Sequence, residues 1–273
     1  MQRKIFINSK EYVIEGDTQY LGGISEHFEH TTIDFFKSFC QKNFNVLDLG
    51  ANIGLTTIAL ANICKNGKII AIEPIPATFN LLKKNLLHSG VNNVKEYNFA
   101  AGNKEGTSIM QGLHSFLAGS FIADSYPLTT QEFTVKVPVR ALDNVFDSFN
   151  MNQLDFMKID VEGYELFVLE GAKKIIKQFK PIAYLEMNHW CLNVIQRITL
   201  PEFRERLLDI FPHVFAIEDY SFLDFTCPNN FHVIAHEHLL RFKYLNLVAG
   251  FNKEELLQNL QNFSRLQHQL QIA

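Results

Sequence analysis

Short apolar runs recur along the middle of the chain, and segments with helical spacing fill the gaps between them. Residues 44–49, 68–72, 94–99, 154–159 and 182–185 read as buried strands. Residues 55–64, 77–88 and 164–179 carry apolar positions at helical spacing. This β-α-β-α-β order predicts an α/β fold: a mostly parallel sheet with helices on both faces. Right-handed crossovers then leave few topologies. The interval 102–153 is too long for a plain connection. Within it, residues 133–139 alternate like a strand, and Pro138 makes that strand short or places it at an edge. Residues 106–127 show no clear period; with Gly112, His114, Phe116, Gly119, Phe121 and Tyr126 they read as a mobile cover. Farther on, 203–210 reads as helix, and 213–217 and 231–235 as strands. Residues 253–271 predict a polar helix with Leu256, Leu260, Phe263 and Leu270 on one stripe. That stripe is expected to dock on its own domain, with a homodimer contact as the rival.

The chain has 273 residues, which allows one or two domains. No repeat and no Pro/Gly/Ser linker divides it. The expected division is a cap segment (1–43), a main domain (44–250) with the cover at 102–153, and a C-terminal helix (251–273). Hydrophobic residues make up 47% and charged residues 20%, enough for a large core. The net charge of −4 argues against a broad hold on nucleic acid. The first residues are basic but lack the apolar core of a signal peptide. No apolar run is long enough to insert into a membrane. Cys40, Cys64, Cys191 and Cys227 are scattered, unlike a zinc site or a disulfide framework. They fit a reducing compartment, and the expected location is cytoplasmic.

The sharpest local pattern is Val46-Leu47-Asp48-Leu49-Gly50-Ala51-Asn52-Ile53-Gly54. A buried strand ends in an acid, and two glycines lead into a helix, at the strand end where doubly wound sheets bind ligands. Asn52 stands where a dinucleotide fold needs its second glycine. The strand at 69–72 ends in Glu73, followed by Pro74. An acid there can accept both hydroxyls of a ribose. The strand at 154–159 leads into Asp160-Val161-Glu162-Gly163-Tyr164-Glu165.

Together these pieces resemble the FkbM family of S-adenosylmethionine-dependent methyltransferases. The family's acid-x-G-A-N-x-G loop matches Asp48 to Gly54, its E-P-x-P-x-x-F segment matches Glu73 to Phe79, and K-I-D-V-E-G-x-E matches Lys158 to Glu165. Leu142-Asp143, Leu169-Glu170-Gly171-Ala172 and the segment Pro181 to Glu186 also match. The resemblance covers about residues 45–187. It implies a Rossmann-like class I methyltransferase sandwich, a seven-stranded, mostly parallel sheet with its last strand antiparallel. It also implies that Asp48, Gly50, Ala51, Asn52 and Gly54 surround the cofactor's methionine part. Glu73 and Pro74 would hold the ribose, and Asn98, Ala100 and Ala101 would border the adenine. Asp160 would position the cofactor or act in catalysis. Family members typically methylate hydroxyls of sugars or natural products, so the expected acceptor is a sugar, glycan, glycolipid or secondary metabolite. The alternative is a non-catalytic protein that binds the cofactor and keeps the fold.

An acceptor hydroxyl is a poor nucleophile until its proton is leaving, so a general base is expected. Asp160, Glu162 and Glu186 at strand ends are the candidates, with His189 beyond them. Glu165 reads as a first-turn acid of the following helix. Asp160, Glu162 and Glu186 are hard oxygen donors of the kind that hold a divalent cation, but nothing in the sequence demands one, and no metal is expected. Residues 25–32 are expected near the cofactor's methionine end, and Trp190, Tyr164, Phe116 and Phe121 are candidates for an aromatic wall.

Overall fold

The structure is a computed structural model, and it describes residues 1–113, 116–122 and 133–270. Of the positions singled out in the cover, His114, Tyr126 and the side chain of Phe116 lie outside this set, as does the side chain of Leu270. The chain opens with a hairpin, β1 (Gln2–Ile7) and β2 (Lys10–Glu15), followed by α1 (Thr18–Gly23) and α2 (His30–Phe39). The alternating middle is β3 (Val46–Leu49), α3 (Leu55–Ile63), β4 (Ile69–Ile72), α4 (Pro76–Ser89) and β5 (Val94–Tyr97). A short β6 (Ala100–Ala101) precedes the cover, which holds β7 (Gly106–Leu113), β8 (Phe116–Ile122), β9 (Phe133–Arg140) and a short α5 (Leu142–Val145). The chain then returns through β10 (Phe156–Ile159), α6 (Glu165–Glu170), α7 (Lys173–Phe179) and β11 (Ile182–Glu186). Its last part is α8 (Leu200–Leu208), β12 (His213–Glu218), β13 (Ser221–Asp224), α9 (Pro228–Arg241), β14 (Asn246–Gly250) and α10 (Lys253–Leu270).

The main sheet has eight strands in the order β13-β12-β14-β11-β10-β3-β4-β5. Seven were expected; β13 is the addition, an edge strand antiparallel to β12. The last strand, β14, runs antiparallel to both neighbours, as expected. Every residue of β3, β4 and β10 is buried, because helices cover both faces. The period of two sends Leu47, Leu49, Ile70, Ile72, Met157 and Ile159 to one face, against α6, α7 and α8. Val46, Ile69, Phe156 and Ile182 go to the other, against α2, α3 and α10.

Two readings are corrected. Residues 231–235 are not a strand but lie in α9, which Pro228 opens. The alternation misled because only Ile234 and His238, one helical turn apart, are buried, while Val233 is exposed. His232, His236 and His238 therefore sit on a helix, not in or after a strand. The single helix over 164–179 is two, broken at Gly171 and Ala172. A Cβ on Gly171 would lie 1.8 Å from the Gly102 carbonyl oxygen, so the chain closes tightly on the cover here. Asp143 then caps α7, accepting from the backbone N–H of Lys174 and Ile175 at 3.0 Å.

The cover, which showed no period, folds with β6 into a four-stranded sheet of order β6-β9-β7-β8. Pro138 is tolerated because β6 pairs only with Val139 and Arg140, leaving the rest of that β9 flank open. The hairpin β1–β2 packs on α4, and α1 packs against β8, so cap and cover meet. The α10 stripe docks on its own domain: Leu256, Leu260 and Phe263 are buried, and the Phe263 ring meets Phe35 and Tyr220. Among the described residues no helix is long and apolar enough to cross a membrane. Truncating Phe263 to Ala removes a fully buried ring and should cost about 3–5 kcal/mol. Denaturant unfolding reads this directly, and a loss below about 1 kcal/mol would mean that α10 contributes little to the fold.

Candidate active site

Strand register builds the site. β10 lies between β3 and β11, all parallel, so Lys158 is the cross-strand partner of Asp48. Asp48 sits in the interior with no exposure, and its Oδ2 accepts from the hydroxyls of Thr57 at 2.6 Å and Thr56 at 3.2 Å. Lys158 is also buried, with Nζ 3.6 Å from Asp48 Oδ1 and 3.1 Å from Asp160 Oδ2. It donates to the Gly50 carbonyl at 3.0 Å. Burial opposes the ammonium charge, but Asp160 and Asp48 outweigh it and hold the Lys158 pKa above its ordinary value.

The glycine loop is tied to the next strand by Gly50 and Ala51, whose N–H groups both donate to the Ile72 carbonyl at 3.0 Å. Gly50 has φ +75°, and a Cβ there would fall 1.8 Å from the Asp160 carbonyl oxygen, so only glycine fits. Asn52 also adopts a left-handed backbone and donates through Nδ2 to the Tyr20 hydroxyl oxygen at 2.8 Å. Glu73 closes the arrangement: Oε2 accepts the Asn52 N–H at 3.0 Å and Oε1 the Ile75 N–H at 2.9 Å. Burial pushes the Glu73 carboxyl up to about 7, against the pull of these two N–H groups. From the helix side, the buried amide of Asn85 donates to the carbonyls of Glu15 and Ile53, joining the hairpin to the loop.

A cavity opens at the carboxyl ends of β3, β4, β10 and β11. Of the residues singled out in the sequence, Gly50, Ala51, Asn52, Glu73, Pro74, Ala100, Ala101, Asp160, Glu162 and Glu186 line it. Asp48 and Gly54 do not reach it: Asp48 supports Lys158 from behind, and Gly54 packs on Leu82. Asn98 is also outside; its amide donates to the carbonyls of Glu73 and Pro74 at 2.8 and 2.9 Å, and its neighbours Phe99, Ala100 and Ala101 form the wall. His189 is not among the lining residues. Its ring lies against His238 and Phe242, and its backbone N–H donates to His238 Nε2. Burial lowers the His189 pKa.

The acidic end of the cavity follows from the same register. Ile159 pairs with Leu185, so Asp160 and Glu186 leave adjacent strands side by side. Glu162 and Gly163 take left-handed conformations, φ +54° and +90°, and turn the chain back over them. Glu165, wholly buried, fastens that turn by accepting the N–H groups of Val161 and Gly163 at 3.2 and 3.1 Å. Burial and then the Asp160 charge push Glu162 up to about 8, and burial with Asp160 and Glu162 raises Glu186. Cys191 donates its thiol to Glu162 Oε2 at 3.3 Å, from a π-helical turn over residues 191–196.

Several lining residues were not foreseen. Lys158 appeared only as a letter of a motif; a lysine in an otherwise apolar strand was the available signal. Tyr20 comes from the cap, and Met110, Ser120 and Ile122 from the cover, whereas Phe28 and Glu29 belong to the segment 25–32 expected near the cofactor. Burial raises the Glu29 carboxyl above its usual range. Of the expected aromatic wall, Tyr164 lines the cavity, Phe121 packs instead on Cys191 and Ile195, and Trp190 is exposed outside it.

The comparisons with known proteins agree with this frame. The family model "Methyltransferase FkbM domain" matches residues 48–243. The chain belongs to the FkbM methyltransferase family. "Methyltransferase 1" of Beauveria bassiana (strain ARSEF 2860) is 26% identical over 143 residues, 46% of this chain and 57% of that protein. "Methyltransferase sdnD" of Sordaria araneosa is 25% identical over 154 residues, 46% of this chain and 60% of that protein. Each match thus spans less than two thirds of the relative. A crystal structure of an FkbM methyltransferase from Methylobacillus flagellatus KT is similar with a TM-score of 0.45 and 18% identity, covering 64% of this chain and 40% of that one. The FkbM match holds the glycine loop, Glu73 and the β10 acids, while Tyr20 and Glu29 precede it.

Replacing Lys158 with Met keeps the volume and leaves two carboxylates without their cation. The expected loss is about 3–5 kcal/mol in denaturant unfolding. A stability equal to that of the native chain would show that the buried ion pair supports nothing.

Proposed function

We propose that the protein is an S-adenosylmethionine-dependent O-methyltransferase acting on a hydroxyl of a sugar, glycan, glycolipid or secondary metabolite. The observation that carries this reading is the placement of the glycine loop, Glu73 and the carboxylates of Asp160, Glu162 and Glu186 around one cavity at the strand ends. Bound there, the cofactor would supply an activated methyl group on a sulfonium. Its fit rests on polar atoms waiting in the wall. Glu73 uses each oxygen for one backbone N–H, and a carboxylate has capacity for further donors, such as ribose hydroxyls. Asn52 Oδ1 is buried without a partner among the described residues.

The chain's own work is positioning and proton handling. Phe99, Ala100 and Ala101 offer a flat apolar wall for an adenine, while the Gly50–Ile53 turn lets the backbone come close to the methionine end. Lys158 holds Asp160 as an ion-pair partner, which makes Asp160 a firm anchor. Glu162 and Glu186 have no ion-pair partner among the described residues, so they are the groups placed to take the hydroxyl's proton. The net charge of −4 supports a small-molecule or glycan acceptor over nucleic acid. A homodimer is compatible with this reading.

Calorimetry with S-adenosylhomocysteine tests the cofactor assignment. Hydroxyl donors favour the ionised Glu73, whose empty-site pKa is about 7. Affinity should therefore fall as pH drops through 7 and level off above it. Glu73→Gln should weaken binding about tenfold and flatten this profile. No binding by the native chain would sink the assignment.

Turnover is read separately, as a gain of one methyl group on a component of a host metabolite and glycan extract, by intact mass. There Glu186→Gln should slow methylation by about a hundredfold or more, while its S-adenosylhomocysteine affinity stays close to native. Full turnover in that variant would exclude Glu186 as the base.

A further inference from the structure

The acidic end of the cavity gathers side chains that can hold a ligand. One oxygen from each of Asp160, Glu162 and Glu186 lies within 4.8 Å of the others. That spacing is what a single small cation spans when carboxylates hold it at about 2.0–2.6 Å. Three separate devices create it: the pairing of β10 with β11, the left-handed turn at Glu162 and Gly163, and the anchoring of that turn by Glu165.

An independent observation points to a missing partner. Glu186 Oε2 is completely shielded from solvent and has no hydrogen-bond partner among the described residues. A shielded carboxylate oxygen without a partner is costly unless something positive completes it. Lys158 does not do so, because its contacts are Asp48, Asp160 and the Gly50 carbonyl. Among the described residues Glu162 receives only the weak thiol donor of Cys191.

We propose that Asp160, Glu162 and Glu186 form a binding site for one hard divalent cation of the Mg²⁺ class, at the acceptor end of the cavity. All three donors are carboxylates, which suits Mg²⁺ or Mn²⁺ better than a soft metal. The Asp160 side chain is 45% exposed, so the site is open on one side. Mg²⁺ binds through few carboxylates and keeps several waters, which an acceptor's oxygens can replace. A hydroxyl entering the ion's shell would lose its proton more readily, to the carboxylate oxygen of Glu162 or Glu186 that the ion does not use. The proposal deepens the O-methylation reading by favouring an acceptor with two neighbouring oxygens, yet the site's occupancy can be tested without turnover.

The rival source of positive charge is the cofactor's sulfonium, and one experiment separates the two. The full chain is titrated with Mn²⁺ alone, and free Mn²⁺ is followed by electron paramagnetic resonance, with and without S-adenosylhomocysteine, which has no sulfonium. We expect one saturable Mn²⁺ per chain, displaced by Mg²⁺. Asp160→Asn and Glu186→Gln should each weaken it at least about tenfold. Glu170→Gln, in a surface ion pair with Arg206, should leave it unchanged. Absence of saturable binding, or equal binding in all three variants, overturns the site. Calorimetry of S-adenosylhomocysteine on the native chain and on Glu186→Gln distinguishes the two ways of failing. Retained cofactor affinity with no Mn²⁺ site refutes only the metal, and a Mn²⁺ site without cofactor affinity refutes the methyltransferase reading.

Discussion

The site depends on one buried ammonium. Lys158 Nζ touches the Gly50 carbonyl, Asp48 and Asp160, and so joins two strands and the glycine loop at one point. Each partner alone would be a poor neighbour in the interior. Asp48 has no exposure, and a carboxylate there needs a cation or several donors to stay charged. Thr56 and Thr57 satisfy one of its oxygens, and Lys158 stands beside the other. The consequence reaches the cavity. With Lys158 held from behind, Asp160 is fixed at the strand end, and the loop that must approach a ligand cannot drift from β10.

Much of this frame was legible in the sequence because its parts are local. The glycine loop, Glu73 and the β10 acids each sit within a few residues of a strand end, where spacing and residue type suffice. The partnership of Lys158 with Asp48 was hidden because 110 positions separate them, and only strand register brings them together. Asn98 shows the opposite error. It lies beside the lining residues Phe99, Ala100 and Ala101 in sequence, but its amide is spent on the turn carbonyls of Glu73 and Pro74. His189 misled for a similar reason: a strand-end histidine looks poised for chemistry, yet α9, read as a strand, places His238 and Phe242 against it.

The walls divide by origin. The floor, from Gly50 through Glu73 to the β10 acids, lies inside the FkbM match. Tyr20, Phe28 and Glu29 precede that match and come from the cap. Met110, Ser120 and Ile122 come from the cover sheet, and α1 meets β8 above the cavity. Such a roof cannot be read from period or motif, since it exists only once two distant segments pack together. Ser120 Oγ is buried and lacks a partner among the described residues.

The roof and the acidic end also explain why the acids stay so close together. Burial, and then repulsion between like charges, pushes the Glu162 and Glu186 carboxyls up. A fold with no use for the cluster could relieve it cheaply by an amide at any of the three positions. Instead, Glu162 is held in a left-handed conformation that a non-glycine residue adopts at a cost of about 1 kcal/mol or more. Gly163 follows in the same conformation, where a Cβ would press on Cys191, and Glu165 gives a buried carboxylate oxygen to the turn's N–H groups. Backbone strain, a required glycine and a buried acid therefore all keep Glu162 over Asp160 and Glu186. Packing alone would not select that arrangement, whereas the binding of a positive charge at the cavity's end would.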